Sequence, residues 1–366
     1  MRTALLTSLT FISLTALTGC GGSSNTSKEP VIDLPKANYQ FSQADKDAII
    51  SERQPITQGL QVTFKGQLFD HLLFSHQEAP VTYFKLASQN NERITLMLYT
   101  GDQSGNCGIY QAGTIFETFE CGPSRLSVGE DTTVLSQVKT SLDHNVAFEY
   151  QNDLLEFAPY FGSTELVVNN NNGGLEILTA FAFDDFYQNI LCDGNCEDTT
   201  YSDLGASTYF ALERIEAQLG SISQATLVFN NPIGGSVDDD INMYTGLMIR
   251  DNQMNTRVSQ TGSVFSGGTD LFAAGVTRTL EVAGDTSTFT NNQQIGVHSW
   301  SEDGKTAKDY PYTHESHRKQ ATYFVNMLNQ QGIAFYVFTL DAAPAEGAHY
   351  MNKQELTHYH LVTQFN

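Results

Sequence analysis

Positive charge is scarce in this chain: 19 Lys and Arg stand against 41 Asp and Glu, a formal net charge of −22. No basic cluster breaks that balance anywhere. A nucleic-acid-binding surface neutralises phosphates with grouped Lys and Arg, so nucleic acid is not an expected partner. Long apolar runs are missing as well, and after the first 19 residues none approaches the length that crosses a bilayer. Cysteine is limited to five residues. The one close pair, Cys192-x-x-x-Cys196, has neither a second pair nor a nearby histidine to complete a tetrahedral set, so no metal is expected there. No cofactor is expected either.

What is present begins with an address. Met1-Arg2 is followed by an apolar, Leu/Thr-rich run from Ala4 to Leu17, then by Leu17-Thr18-Gly19-Cys20 and a stretch of Gly, Ser, Asn and Lys. Residues 1–19 therefore read as a secretion signal and are set apart from the fold. The Leu-Thr-Gly-Cys box resembles the bacterial lipoprotein signal, which implies cleavage before Cys20 and a diacylglycerol on its sulfur; an ordinary signal peptide with an incidental cysteine is the alternative. Gly21 stands where aspartate commonly marks inner-membrane retention. The implied location is the periplasm-facing leaflet of the outer membrane, with the lipid as the only membrane attachment. Outside the cytosol, the even set Cys107, Cys121, Cys192 and Cys196 is expected to form disulfides, and pairing Cys107 with Cys121 and Cys192 with Cys196 is the simplest of three connectivities.

Composition divides the remainder. Residues 20–36 carry Ser, Asn, Pro and charge and form a tether. Residues 37–168 are rich in Phe, Tyr, Thr and Val, with period-two stretches such as Gln61-Val62-Thr63-Phe64, and predict a β-sandwich or small barrel. Its histidines, His71, His76 and His144, stand isolated. The Asn169–Gly174 run either turns a hairpin or links domains, and is taken as the linker (169–174). From 175 to 366 helix and strand alternate, which predicts an α/β domain: a strand over Leu175–Phe183, a helix over Ala206–Leu219 with Tyr209, Leu212, Ile215 and Leu219 on one stripe, and a buried strand over Ala225–Asn230.

Within that domain one module carries chemistry. The strand ending at Asn230 meets Gly234-Gly235-Ser236, a strand-to-helix turn in which Ser236 caps the next helix with Asp239 three residues on, and the Gly235 amide can face a cleft. A second β-type run, Thr256–Gln260, leads to Ser266-Gly267-Gly268 and a short helix over Thr269–Ala274. Serine is a weak nucleophile until a base takes its proton, and the oxyanion it creates needs exposed N–H donors; the Gly267 amide is placed as the second. A third β-type run, Gln294–Trp300, carries His298 at its end.

In order and spacing these pieces resemble the ClpP-like serine peptidases of the ClpP/crotonase superfamily. The resemblance covers about Leu175 to Thr363. It implies a domain of repeated ββα units, with Gly235 as an oxyanion donor, Ser266 before Ala273-Ala274-Gly275 as nucleophile, and His298 of Val297-His298 as base. The ending Tyr350-Met351 through Leu361-Val362 matches the family's closing strand and helix. One position departs: where the family carries its triad aspartate this chain has Gly347-Ala348-His349. Glu346, Asp303 or Asp270 could supply the third member, or a Ser-His dyad could work without one. His314 and His317 fall on what reads as a solvated helix start. The expected activity is that of a lipid-anchored serine peptidase or related acyl hydrolase acting on a peptide or protein; family relatives often form homo-oligomers, which the acidic surface and the tether neither require nor exclude. A catalytically silent binding or assembly domain is the alternative, and acyl-CoA chemistry on the same fold is a third reading, disfavoured by export.

Overall fold

Alternating strands build the N-terminal part. The structure, a computed structural model, describes residues 33–99, 105–171, 174–192, 201–284 and 289–366. In Leu60–Phe64 the residues Leu60, Val62 and Phe64 turn inward while Gln61 and Thr63 face out, as a half-buried strand requires. This strand lies between Gln67–Phe69 and Asn145–Gln151 in a five-stranded antiparallel sheet completed by Thr132–Lys139 and Leu126–Val128. The second five-stranded sheet is a meander of His71–Glu78, Val81–Ala87, Arg93–Tyr99, Asn106–Tyr110 and Glu117–Glu120. Val62, Phe64 and Phe148 of one sheet share a core with Phe84, Leu96 and Ile109 of the other, so the two sheets form a sandwich. A disulfide joins Cys107 to Cys121. Cys196 lies outside the described residues, and with it the second expected pair. His144 is not isolated: its Nδ1 is 2.9 Å from the buried Glu117 carboxylate, which also receives Lys65 Nζ at 3.0 Å and the Thr140 hydroxyl at 2.5 Å.

The expected linker is not a linker. Thr164–Asn171 pairs antiparallel with Gly174–Phe181 from Thr164↔Phe181 to Asn171↔Gly174. Asn169, Asn170 and Asn171 thus pair with Glu176, Leu175 and Gly174, and the large sheet begins before residue 175. Residues Tyr209, Ile241 and Tyr244 of the α/β part also join the sandwich core, and Leu34–Asn366 clusters as one compact unit.

From Gly174 onward the chain repeats a ββα rhythm. The first strand of each unit enters a six-stranded sheet and the second enters a five-stranded one. Gly174–Phe181, Thr226–Phe229, Asn255–Val258 and Arg278–Leu280 run parallel in the large sheet. Ser202–Leu204, Pro232–Ser236, Ser263–Phe265 and Ile295–Val297 run parallel in the small one. Helices Ala206–Leu219, Asp239–Asp251 and Gly267–Ala273 follow the first three units. The mixed α/β architecture of repeated ββα units is therefore present as expected, preceded by a strand-rich half.

Several local expectations change. Pro232–Ser236 is a strand, not a turn, because both neighbours in the small sheet supply its pairing. The helix cap is Asp238, whose carboxylate accepts from the Ile241 N–H at 3.4 Å, rather than Ser236. Leu219, on the predicted stripe, is exposed at the helix end. A helix over Gln43–Arg53, capped by Ser42, precedes the sandwich; Tyr244 donates to the Ser42 carbonyl at 3.3 Å.

The disulfide closes a loop with a sequence separation of 14, short enough that its loss should cost about 3 kcal/mol through the unfolded chain's freedom. Urea unfolding of a Cys107→Ser, Cys121→Ser double variant is expected to show that loss with an intact native fold. An unchanged midpoint would mean the bridge adds no stability.

Candidate active site

Three short strands converge on one point. Ile233, Val264 and Ile295 occupy one row of the small sheet, so two residues further along, Gly235, Ser266 and Val297 come level, with His298 next. A Cβ added to Gly235 would stand 3.4 Å from Ser266 Cβ and 3.8 Å from its Oγ. Ser266 itself sits at φ 52°, ψ −123° between strand and helix, a conformation costing roughly 1–3 kcal/mol for a residue with a side chain. The surroundings hold it there. Ser266 N–H donates to the Gly296 carbonyl at 3.2 Å, and the Ser266 carbonyl receives the N–H groups of Thr269 at 2.8 Å and Asp270 at 3.2 Å. Gly267 opens the helix, where an N–H has no intrahelical acceptor. Any Cβ on it would stand 2.4 Å from Ser236 Cβ, so the close crossing of helix and strand admits only glycine.

His298 completes the pair. Its Nε2 is 2.7 Å from Ser266 Oγ, and its Nδ1 is 2.5 Å from the backbone carbonyl of Ala345. A carbonyl can only accept, so Nδ1 carries the hydrogen and neutral Nε2 presents its lone pair to the serine hydroxyl. The ring is also packed against Phe265 at a centroid distance of 4.7 Å. None of the three carboxylates considered from the sequence bonds to His298, whose ring nitrogens meet Ser266 and Ala345: Glu346 and Asp303 are exposed, and Asp270 lines the cavity beside the serine. The third partner is a main-chain oxygen, which leaves no trace in residue type. The Ala345 loop is itself fixed, since Ser299 N–H donates to the Ala343 carbonyl and Gly347 N–H to that of Pro344, each at 2.9 Å. Buried Asn242, also unanticipated, donates from Nδ2 to the Gly267 carbonyl at 3.0 Å and so orients the turn after the nucleophile.

Behind the pair lies a cavity of about 40 Å³ lined by Asp239, Ser266, Asp270, Val297, His298, Trp300, Gln320, Phe324 and Thr339. It has room for roughly two or three waters. One wall is set by a chain of hydrogen bonds in which Trp300 Nε1–H donates to Tyr336 OH at 2.8 Å, Tyr336 donates to His317 Nδ1 at 2.7 Å, and His317 Nε2–H donates to the Ala307 carbonyl at 2.9 Å. His317 is thus fully buried and occupied at both nitrogens, not on a solvated face. By accessible surface Asp239 is exposed and Asp270 half-buried, and both line this cleft. Burial, reinforced by Asp238 and Asp240, pushes the Asp239 carboxyl up to about 6, against a smaller opposing bond from Ser236. Burial, with Asp239 adding to it, holds Asp270 well above the usual carboxylate range.

The sequence matches no family model and no curated protein. Similar solved structures include an enoyl-CoA hydratase from Bacillus anthracis, 10% identical over 56% of this chain and 70% of that one with a TM-score of 0.33. Another is an enoyl-CoA hydratase from Shewanella pealeana ATCC 700345, 10% identical over 55% and 68% of the two chains with a TM-score of 0.34. At that similarity neither bears on the chemistry. The repeated ββα arrangement stands on the strand pairing of this chain.

The shifted acids make stability depend on pH in a stated direction. Asp270 is held protonated in the fold while its unfolded counterpart ionises near pH 4, so the native state binds the extra proton and stability falls as pH rises above that point. Asp270→Asn removes this dependence. Its melting temperature relative to wild type should climb between pH 4 and pH 7, and a constant difference across that range would show that Asp270 is not held protonated.

Proposed function

We propose that the protein is a serine hydrolase, a peptidase or related acyl hydrolase, in which Ser266 is the nucleophile and His298 the general base. The observation that carries this reading is the 2.7 Å contact between Ser266 Oγ and His298 Nε2 with Nδ1 already donating to Ala345. Oγ attacks the acyl carbon as its proton passes to Nε2. The amides of Gly235 and Gly267 receive the oxyanion. Collapse of the intermediate breaks the bond to the leaving group, which takes the proton from Nε2, and a water deprotonated by His298 then hydrolyses the acyl-serine. The Ala345 carbonyl keeps the productive tautomer, the part of the orienting role whose loss is most costly, but brings less than a full negative charge to the imidazolium.

The lipoprotein-like start supports attachment through Cys20 and a site facing the periplasm, with a peptide or protein as substrate. The absence of a carboxylate behind His298, among the described residues, favours a second reading: a silent domain that binds rather than cleaves.

Fluorophosphonate labelling of the purified mature protein separates the two. Wild type is expected to label, Ser266→Ala not at all, and His298→Ala at a rate lower by about 10²–10⁴-fold, the usual contribution of a general base. A folded wild type that stays unlabelled favours the silent domain.

A further inference from the structure

Three consecutive aspartates enter the Asp239–Asp251 helix, and they are not equivalent. Asp238 Oδ2 is 2.8 Å from Arg53 Nε, and Asp240 Oδ1 is 3.1 Å from Lys319 Nζ. Asp239, between them, turns to the cavity with only the Ser236 hydroxyl. In the same cavity, among the described residues, the Asp270 carboxyl has neither a hydrogen bond nor an ion pair; Tyr323 OH donates to the Asp270 backbone carbonyl instead, at 2.8 Å. The remaining nearby cation, Arg250, is committed to the carbonyls of Ala273 and Met327 at 3.1 and 2.8 Å. No Lys or Arg lines the cavity.

Two carboxyls lining one cleft each disfavour the other's ionised form unless a counter-charge is near, and among the described residues Arg53, Lys319 and Arg250 are committed to other partners. The acceptors are arranged for a donor. Thr339 spends its hydroxyl hydrogen on the Tyr336 carbonyl at 2.7 Å, so its oxygen offers the cavity lone pairs, alongside the two carboxyls and the Gln320 amide. A space of about 40 Å³ suits a compact ammonium with three donors better than a planar guanidinium.

We propose that this cavity is a specificity subsite for an ammonium group that the substrate carries next to the acyl bond attacked by Ser266. The proposal rests on the hydrolase reading above. Ammonium binding should fade as the pH falls through about 6, where Asp239 takes a proton. The fade is read in the ratio of amine-probe to hydroxyl-probe rates, in which His298, lining the same cavity and serving both probes alike, cancels; Asp270 faces the same space, and Arg53, Lys319 and Arg250 keep their charge throughout that range.

The test uses two short alkyl fluorophosphonates of equal length, one ending in a primary amine and one in a hydroxyl, with second-order labelling rates measured on the full mature chain. In wild type the amine probe should react faster by about tenfold or more, the effect of one charge-assisted bond in an enclosed site. In Asp239→Asn the ratio of the two rates should fall toward one. Labelling by both probes without an amine preference in wild type overturns the subsite and leaves the hydrolase standing. A folded wild type that neither probe labels fells the hydrolase reading, and the subsite with it.

Discussion

Everything in the site depends on the register of three short parallel strands. Ile233, Val264 and Ile295 form one row, and all three are buried. Because successive side chains alternate between faces, a slip of one residue in any strand would turn its buried residue outward, so the core enforces the row. The chemistry sits two and three residues downstream of that row, where the strands end and side chains escape the sheet. Each strand arrives from a separate ββα unit, and only the pairing of the small sheet brings Gly235, Ser266 and His298 within reach. The hydrophobic core thus sets the position of the polar groups, and no polar interaction has to find its partner unaided.

That dependence also explains what could be read from the sequence. The helix Ala206–Leu219 has the bounds its periodicity predicts, because Tyr209, Leu212 and Ile215 form a buried stripe. His298 stood out because it ends a β-type run and Ser266 because it sits at a glycine-rich turn before a helix, and the glycines after Ser266 have a steric reason visible in residue type. Pro232–Ser236 was hidden for the opposite cause: Gly234 and Gly235 have little strand preference of their own, and pairing with distant segments overrides it. The Gln43–Arg53 helix buries none of its residues fully, so it carries no apolar stripe to betray it. The asparagine hairpin was ambiguous in composition and was settled by pairing. The partner of His298 could not be found by searching carboxylates, since a backbone carbonyl is contributed by every residue and identified only by the path of the loop.

The site is built against local preference, and its supports are correspondingly dense. Ser266 adopts a backbone conformation that disfavours a side chain, and two carboxyls share the cleft beside it. Neither would persist on a loose loop. Asn242 holds the Gly267 carbonyl, Thr269 Oγ1 donates to the Gly296 carbonyl at 2.7 Å, and the Ser266 N–H donates to the same oxygen. These bonds join the nucleophile's turn to the strand that delivers the base, so strain at Ser266 is shared by two elements. Strain and desolvation gathered at one cleft are the pattern of a functional site, where stability is surrendered for reactivity.

The N-terminal segment takes part in this electrostatic arrangement. Arg53 comes from the helix preceding the sandwich, yet its guanidinium meets Asp238, the cap of the helix that presents Asp239 to the cleft, and the pair is largely buried. A buried carboxylate stripped of its cation is strongly unfavourable. Without Arg53 the uncompensated charge of Asp238 would act directly on Asp239, one residue away, and disfavour its ionised form further. The separation of charges in the cleft, with Asp238 and Asp240 neutralised and Asp239 left open, therefore requires residues 34–53 as well as the ββα units. The chemistry occupies the C-terminal half of the sequence, but the charge state of the cleft is a property of the whole unit from Leu34 to Asn366.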